Sequence, residues 1–152
     1  NPGPGVGGHC IAVDPWFLVD SAPEDAVLIR TARERNSAKT DWVVEQIVKE
    51  SEKRKSEQQR ARVAVLGLAY KANIDDLRES PALSIARRLK AVGVDIVVSE
   101  PNLTEHPDFP LHTPQEAVSA ADLVVFLVAH REFGELDVTG KSVIDFCGAL
   151  RG

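Results

Sequence analysis

A cysteine near the start of the chain ends a run that is rich in glycine. Residues 5–10 read GVGGHC, and a carboxylate, Asp14, follows Cys10 by four positions. Glycine lets the backbone approach a ligand closely and adopt positive φ angles where a turn needs them. Many free cysteines are small buried hydrophobes, but an open glycine-rich loop is an unusual place for one. The pattern therefore favours Cys10 as a nucleophile.

A second group of charged residues follows a short buried strand. The loop that leaves this strand, residues 67–81, reads GLAYKANIDDLRESP and lacks the glycine pattern GxGxxG of ordinary dinucleotide sites. Lys71 and Arg78 could be solvated charges, or they could neutralise a phosphate, the arginine through a bidentate fork. Asp75 and Asp76 are adjacent and so diverge, which favours loop capping or pairing with Arg78 over joint catalysis.

Strands and helices alternate over residues 61–152, and this alternation predicts the sheet that must position the loop. Helices begin at Ser80 and at a capping box that starts with Thr113. Apolar runs predict strands at residues 63–67, 94–99, 123–129 and 142–146. Continuous apolar strands that alternate with helices are typical of a parallel sheet covered on both faces. The predicted fold is α/β, a Rossmann-like doubly wound parallel sheet, whose ligands bind beyond the carboxyl ends of the strands.

The first part of the chain is predicted to lead into that sheet. Residues 1–20, which contain the cysteine, are predicted as a loop with a short extended piece. A capping box at residues 21–24 (SAPE) predicts a helix that runs to about Arg35. A possible break at residues 36–37 separates it from a second helical stretch.

The second helical stretch carries an apolar stripe of Trp42, Val43 and Ile47 at helical spacing. The stripe could pack in the core of a monomer or form a dimer interface. Residues 49–60 are mostly polar and predict a solvated helix end or linker. Residues 21–60 are therefore predicted to be a helical connector.

Composition and charge exclude several classes of protein. Of 152 residues, 43% are hydrophobic and 27% charged, and the formal net charge of −5 disfavours a nucleic-acid surface. No apolar run approaches the ~20 residues that span a membrane. Cys10 and Cys147 are predicted to be free, as in a reducing cytosol, with Cys147 in the core and no metal-ligand spacing. The absence of methionine and the loop-like start predict a piece of a longer protein.

Three stretches carry a resemblance to a known family. Residues 5–17 (GVGGHCIAVDPWF) resemble the catalytic-cysteine loop of the nucleotide-sugar 6-dehydrogenases, the UDP-glucose/GDP-mannose dehydrogenase family. Their form looks like the branch that oxidises UDP-N-acetyl-D-mannosamine. Residues 67–81 resemble the signature that opens the family's UDP-binding domain, and the strand end at residues 125–130 is similar too. The resemblance covers essentially the whole chain, as a C-terminal part without the family's NAD-binding domain.

This resemblance implies covalent chemistry at Cys10. The family's cysteine attacks the C6 aldehyde formed in a first oxidation and gives a thiohemiacetal, which a second oxidation by NAD turns into a thioester that water hydrolyses. Asp14 matches a carboxylate that positions or deprotonates the hydroxyl or the water, although an aspartate before Pro15 could also cap a turn. His9 could be a base for Cys10, but adjacent side chains rarely face one another, which favours a branch marker or a sugar contact.

The same resemblance implies the binding residues. Gly7 matches a backbone contact to the sugar, and Tyr70 and Lys71 match the pair that contacts the UDP-sugar. Arg78 matches an arginine that reaches the phosphates of NAD, a cofactor that the missing N-terminal domain would mainly bind. His130, at the end of the third strand, could touch substrate or cap the turn at residues 132–133.

Some positions depart from the family pattern. Val13 stands where UDP-glucose dehydrogenases usually carry a lysine near NAD, so that contact is not expected here. Ala72 and Ile74 replace a commoner proline and threonine. Residues 145–148 (DFCG) lack the arginine that is often found nearby in relatives.

The resemblance thus predicts part of a cytoplasmic enzyme that makes UDP-N-acetyl-D-mannosaminuronate, a precursor of cell-surface polysaccharide. The family's long central helix implies a homodimer, and no nucleic-acid, membrane or metal partner is expected. One alternative is the same chemistry on UDP-N-acetylglucosamine, UDP-glucose or GDP-mannose. Another is that the chain alone is a non-catalytic UDP-binding and dimerisation module. The absence of CxxC disfavours a thiol-redox protein.

Overall fold

The computed structural model describes residues 3–54 and 61–150, and these form a parallel sheet with helices on both faces. The strands are β1 (Arg62–Leu66), β2 (Asp95–Ser99), β3 (Leu123–Phe126) and β4 (Ser142–Asp145). The helices are α1 (Asp14–Ser21), α2 (Val27–Glu52), α3 (Pro81–Ala91) and α4 (Pro114–Ala120), and a 3-10 turn covers Arg131–Phe133.

The strand order β2-β1-β3-β4 confirms the predicted Rossmann-like sheet. All three neighbouring pairs are parallel, and Val63 of β1 pairs with Ile96 on one side and Leu123 on the other. The chain winds outward from β1 to β2 and then returns past β1 to β3. The winding direction therefore reverses between β1 and β3, where an open α/β sheet forms its ligand crevice.

Side chains of β1 alternate between two apolar layers. Val63 and Val65 pack with α2 and α3 on one face, and Ala64 and Leu66 pack with α4 on the other. All four are fully buried. Burial on both faces explains why this strand reads as a continuous apolar run in the sequence.

The predicted starts of the two helices that connect strands of the sheet are confirmed. Ser80 caps α3 by accepting a hydrogen bond from the Leu83 N–H at 3.2 Å. Thr113 and Glu116 form a complete capping box at the start of α4. The strand predicted at residues 123–129 ends earlier, because the N–H groups of residues 127 and 128 both turn to the carbonyl oxygen of Leu66.

The prediction for the region around Ser21 is wrong. Residues 14–21, expected as loop, form α1, and Ser21 is its last residue rather than the cap of the next helix. Asp14 and Pro15 supply a helix start, because an acidic side chain and a preset φ angle suit the first turn. The Ser21 hydroxyl donates to the Phe17 carbonyl at 2.7 Å, and α2 begins at Val27 without a side-chain cap.

The predicted break at residues 36–37 is also wrong, since α2 is continuous. The Ser37 hydroxyl donates to the Arg33 carbonyl at 3.2 Å, one turn earlier in the same helix. This local bond satisfies the hydroxyl without ending the helix. The side chain of Asn36 instead points to another segment and belongs to the site.

The apolar stripe of α2 belongs mostly to the core of the chain itself. Val43 and Ile47 are fully buried against α3 and the sheet. Trp42 stays 44% exposed, and its ring lies nearly perpendicular to that of Phe146 with the two ring centroids 5.9 Å apart. Of the two alternatives for this stripe, packing in the core therefore holds for Val43 and Ile47.

The polar segment predicted at residues 49–60 is only partly described. Helix α2 continues into it as far as Glu52, and residues 55–60 lie outside the described residues. None of the helices in the described part of the chain is both long and apolar enough to cross a membrane. Across residues 3–54 and 61–150, no three His, Cys, Asp or Glu side chains group in a way that could hold a metal ion.

Candidate active site

The glycine-rich loop packs directly against the loop that leaves β1. The Gly8 N–H donates to the carbonyl oxygen of Arg78 at 3.2 Å. A Cβ atom on Gly7 would lie 2.4 Å from the carbonyl oxygen of Glu79, and one on Gly8, where φ is +94°, would lie 2.9 Å from the Tyr70 ring. Neither position leaves room for a side chain, so the two loops can meet only because both residues are glycine.

Helix α2 holds the glycine-rich loop in place through one side chain. The Val6 N–H donates to Oδ1 of Asn36 at 2.7 Å, and Nδ2 of Asn36 donates back to the Val6 carbonyl at 3.1 Å. This pairing uses both polar groups of the side-chain amide. No pattern in the sequence indicated a role for Asn36, because its partner lies 30 positions away.

Cys10 is exposed at the end of this loop. Its carbonyl oxygen accepts hydrogen bonds from the N–H groups of Val13 at 3.0 Å and Asp14 at 2.8 Å, which turns the chain into α1. Asp14 is exposed as the first residue of that helix. The Cys10 sulfur lies 3.0 Å from Nδ1 of His9, so the two adjacent side chains do face one another, contrary to expectation.

Arg78 lies in the same region and is held by a neighbouring carboxylate. Its guanidinium donates hydrogen bonds to both carboxylate oxygens of Asp76, and its backbone N–H donates to Oδ1 of Asp76 at 2.9 Å. Hydrogen bonds from the Arg78 side chain and backbone lower the pKa of Asp76 to about 2. Bonding to Asp76 is the main cause that raises the pKa of Arg78, and the nearby Tyr70 and Cys10 contribute in the same direction. The pairing alternative for Asp76 is therefore confirmed.

A cleft of about 330 Å³ opens at the carboxyl ends of β1 and β3. Its walls include Tyr70 and Lys71 from the β1 exit, residues 127–129 after β3, and Cys147 after β4. Tyr70 is half-buried and Lys71 is exposed. The cleft lies at the reversal of strand winding, where ligands of such sheets bind.

Cys147 lies on the wall of the cleft but is unsuited to nucleophilic chemistry. It is buried, as predicted for a core residue. Burial, reinforced by the nearby carboxylate of Asp145, raises the pKa of the Cys147 thiol to about 12. The thiol is therefore protonated at neutral pH, and a protonated thiol is a poor nucleophile.

His130 does not line the cleft, which disfavours the alternative in which it touches substrate. Its side chain is fully buried, and Nε2 lies 3.0 Å from Oε2 of Glu100. Its carbonyl oxygen accepts from the Phe133 N–H at 3.1 Å, so the turn-capping alternative holds for the backbone alone. Sequence patterns did not single out Glu100 as a candidate residue, although a carboxylate directly after a buried strand is a signal that could have indicated it.

The structure thus brings Gly7, Cys10, Tyr70 and Arg78 together where two loops meet. Lys71 lies beside Tyr70 on the cleft, and Asp14 begins the helix that follows Cys10. A soft nucleophile and a carboxylate therefore lie on one of two segments in contact, and two cationic side chains lie on the other. Such a set can form a covalent adduct while it binds a phosphorylated ligand.

Comparisons with known proteins identify the family of the chain. Residues 64–151 match the UDP binding domain of the UDP-glucose/GDP-mannose dehydrogenase family, and residues 1–38 match its central domain. A relative from Ralstonia solanacearum, an NDP-N-acetyl-D-galactosaminuronic acid dehydrogenase, is 49% identical over 97% of this chain and 36% of its own length. The UDP-N-acetyl-D-mannosamine dehydrogenase of Salmonella typhi is 45% identical over 99% of this chain and 39% of its own length.

Solved structures give the same result. The UDP-N-acetyl-mannosamine dehydrogenase of S. aureus matches with a TM-score of 0.81 and 37% identity, over 100% of this chain and 37% of that one. The UDP-D-ManNAc dehydrogenase of Pyrococcus horikoshii matches with a TM-score of 0.83 and 31% identity, over 99% and 37%. The chain spans somewhat more than a third of the length of these relatives. Its sequence and fold together place it in the UDP-glucose/GDP-mannose dehydrogenase family.

Proposed function

We propose that this chain is the part of an NAD-dependent nucleotide-sugar 6-dehydrogenase that carries the nucleophile and the UDP site. The observation that carries the proposal is the contact between the two loops, in which Gly8 bonds to the Arg78 carbonyl and packs on Tyr70. A nucleophile and a candidate phosphate site need to be adjacent only if they act on one ligand. Such a ligand has a reacting carbon and a phosphate in the same molecule, as a nucleotide sugar does.

Cys10 is the proposed nucleophile. Its thiolate adds to the C6 aldehyde carbon of the substrate, and the aldehyde oxygen takes up a proton to complete a thiohemiacetal. NAD, when bound, accepts a hydride in each of the two oxidations. The second oxidation leaves a thioester on Cys10, which water cleaves to release the carboxylate and the thiol. His9 Nδ1, 3.0 Å from the sulfur, can accept the thiol proton, and Asp14 serves as the carboxylate that orients the water.

The residues of this chain fit a peripheral contact with NAD rather than its main binding site. The side chain of Arg78 is 64% exposed and can reach a phosphate from the rim of the site. The β1 exit cannot hold a pyrophosphate on its backbone, because the N–H groups of Leu68 and Ala69 already donate to the carboxylate of Glu100 at 2.7 and 3.0 Å. This arrangement supports the expectation that NAD is mainly bound outside this chain.

UDP-N-acetyl-D-mannosamine is the proposed substrate, because relatives at 44–45% identity carry that name. The relative at 49% identity, named for NDP-N-acetyl-D-galactosaminuronic acid, favours a second candidate, another N-acetylhexosamine nucleotide. A substrate panel with the longer protein that contains this chain separates them and includes UDP-N-acetylglucosamine, UDP-glucose and GDP-mannose. The isolated chain is proposed to be a non-catalytic UDP-binding module.

A homodimer through the central helix is also proposed. The first turn of α2 exposes Val27 and Leu28, which are 58% and 80% exposed, and the adjacent α1 exposes 68% of Phe17. Neighbouring exposed apolar side chains on two elements mark a contact surface. The buried part of α2 that carries Val43 is unavailable for such a contact.

Calorimetric titration of this chain with UDP tests the proposed site, with GDP as the competing nucleotide. We expect UDP to bind more tightly than GDP, and Lys71→Ala to weaken UDP binding at least tenfold. Lys49→Ala, at an exposed lysine on α2, is the charge-matched control and should leave the affinity unchanged. Absence of UDP binding, or equal binding to both lysine variants, would contradict the assignment of the nucleotide site to the Tyr70–Lys71 segment.

A further inference from the structure

Glu100 and His130 form a fully buried pair at the carboxyl edge of the sheet. Glu100 directly follows β2, and His130 lies four residues beyond the end of β3. Both side chains have no exposed surface, and Nε2 of His130 lies 3.0 Å from Oε2 of Glu100. Buried ionisable groups of this kind need full hydrogen-bonding to be tolerated. The hydrogen-bond partners of Glu100 and His130 therefore indicate which segment of the chain the pair fixes in place.

Glu100 holds the beginning of the β1 exit loop. Its Oε2 atom accepts from the backbone N–H groups of Leu68 at 2.7 Å and Ala69 at 3.0 Å. Burial tends to raise the pKa of this carboxyl, but the bonds from His130 and from these two amides outweigh it and lower the pKa. Asn102 donates to the other oxygen, Oε1, from its backbone N–H at 3.1 Å and from Nδ2 at 3.3 Å. Glu100 is thus a carboxylate whose charge is satisfied by the loop backbone together with His130 and Asn102.

His130 holds the loop at a second point. Its Nδ1 atom accepts from the backbone N–H of Asn73 at 2.9 Å, which requires Nδ1 to be unprotonated. The ring proton therefore lies on Nε2, which donates to Glu100. Oδ1 of Asn73 in turn accepts from the Arg131 N–H at 2.9 Å, and Asn73 has a positive φ of 60°.

The two points of attachment lie on either side of Tyr70 and Lys71. Leu68 and Ala69 immediately precede this dipeptide, and Asn73 follows it after a single residue. We propose that Glu100 and His130 are a positioning pair that fixes the backbone around Tyr70 and Lys71 in the conformation that binds UDP. This inference rests on the proposed function, because it assumes that these two residues contact the nucleotide.

A pair that only stabilised the fold would act differently from one that positions the loop. Two substitutions at His130 separate these roles. The amide of asparagine ends near the position of Nδ1, so His130→Asn can still accept from Asn73. The longer glutamine side chain reaches the position of Nε2, so His130→Gln can still donate to Glu100 but loses the bond to Asn73. Both variants should be less stable than the wild type.

Calorimetry with UDP on the full chain is the test of positioning, with urea unfolding as the measure of stability. We expect His130→Gln to weaken UDP binding at least tenfold and His130→Asn to weaken it less than threefold, despite similar losses of stability. Equal effects of the two variants on affinity, or an affinity that merely follows stability, would overturn the positioning role.

Substitutions at Asn73 test the same contact without altering the core, because this residue is exposed. Asn73→Gly keeps the N–H group and tolerates the positive φ, so UDP affinity should change less than threefold. Asn73→Val disfavours that φ and should weaken UDP binding at least fivefold. An unchanged affinity in Asn73→Val would overturn the proposal.

Amide hydrogen exchange separates a failure of this inference from a failure of the proposed function. The Asn73 amide should be protected in the wild type and in His130→Asn, and should exchange at least tenfold faster in His130→Gln. The exchange rate of the Asn73 amide reports the conformation of the loop whether or not UDP binds. Unchanged protection in His130→Gln overturns the positioning role, whereas absence of UDP binding by the wild type overturns the nucleotide site.

Discussion

The Gly8 N–H donates to the Arg78 carbonyl oxygen at 3.2 Å, which joins the glycine-rich loop to the loop that leaves β1. The bond requires the two backbones to approach so closely that neither Gly7 nor Gly8 can carry a side chain. The position of Cys10 relative to Tyr70 and Arg78 therefore depends on this close contact between the two loops. Substitutions that separate the loops should disturb the site before they disturb the sheet.

Gly7→Ala should lower the free energy of unfolding by about 1–3 kcal/mol, because its Cβ atom would overlap the Glu79 carbonyl and the Pro81 ring. Urea unfolding followed by circular dichroism measures the change. Gly134→Ala is the control, since a Cβ there meets nothing closer than 3.5 Å. Its effect should stay within about 0.5 kcal/mol. Equal effects at the two glycines would contradict the close packing of the loops.

The two cysteines should react differently with an alkylating reagent. Cys10 is exposed, whereas Cys147 is buried with its thiol pKa raised to about 12 by burial and Asp145. Iodoacetamide at pH 8 should therefore add one group rapidly to the folded chain and a second only in denaturant, as intact mass measures. Cys10→Ser should abolish the rapid addition, and Cys147→Ser should preserve it. Rapid addition of two groups to the folded wild type would refute the burial of Cys147.

Local signals in the sequence were enough to predict the sheet domain. The apolar runs of β1 and β3 form strands that are covered on both faces. Ser80 and Thr113 cap helices through bonds within their own first turn. At Ser21 the same type of signal failed. Its hydroxyl bonds backward to Phe17, and a local pattern cannot distinguish the last residue of one helix from the cap of the next.

The functional site was predictable only for residues within its two motifs. Cys10, Lys71 and Arg78 could be selected as candidates by residue type and loop composition, whereas Tyr70 was selected only through the family resemblance. The residues that support those loops act over long sequence separations: Asn36 bonds to Val6, and Glu100 bonds to Leu68 and Ala69. Such contacts exist only once the fold brings the segments together, so a single sequence does not reveal them.

Glu100 should make the stability of the chain depend on pH in the acid range. Its hydrogen bonds lower its pKa below the ordinary value of 4.5 despite its burial, so its stabilising effect is complete above that value and is lost as the pH falls below it. Glu100→Gln should cost about 2 kcal/mol at pH 7, because hydrogen bonds to a charged acceptor are lost. The variant should also lose less stability between pH 5 and pH 3 than the wild type does.

Urea unfolding at pH 7, 5 and 3 measures both effects. Glu105→Gln, at an exposed carboxyl in the loop that follows β2, is the matched control and should leave stability at pH 7 within about 0.5 kcal/mol of the wild type. A Glu100→Gln variant as stable as this control at pH 7 would show that the buried carboxylate contributes little to the fold.

Cys10→Ser should stop the reaction of the longer protein after the first oxidation. A serine hydroxyl is a much weaker nucleophile than a thiolate at neutral pH and a poorer leaving group, so the covalent steps at this position should fail. We expect loss of uronate formation by at least a thousandfold, measured by chromatography of the nucleotide-sugar products. Cys147→Ser should retain activity within about threefold, and stoichiometric uronate from Cys10→Ser would exclude the covalent role.

Leu28→Glu should weaken the proposed homodimer. Leu28 is 80% exposed at the start of α2, beside the exposed Val27. A glutamate charge that is buried in an apolar contact is strongly unfavourable. Sedimentation velocity over a range of concentrations should give a dimer dissociation constant at least tenfold higher than that of the wild type. Val92→Glu, which places the same charge at a 63% exposed valine after α3, should leave the constant unchanged. A wild type that stays monomeric, or equal effects of both variants, would contradict an interface at the start of α2.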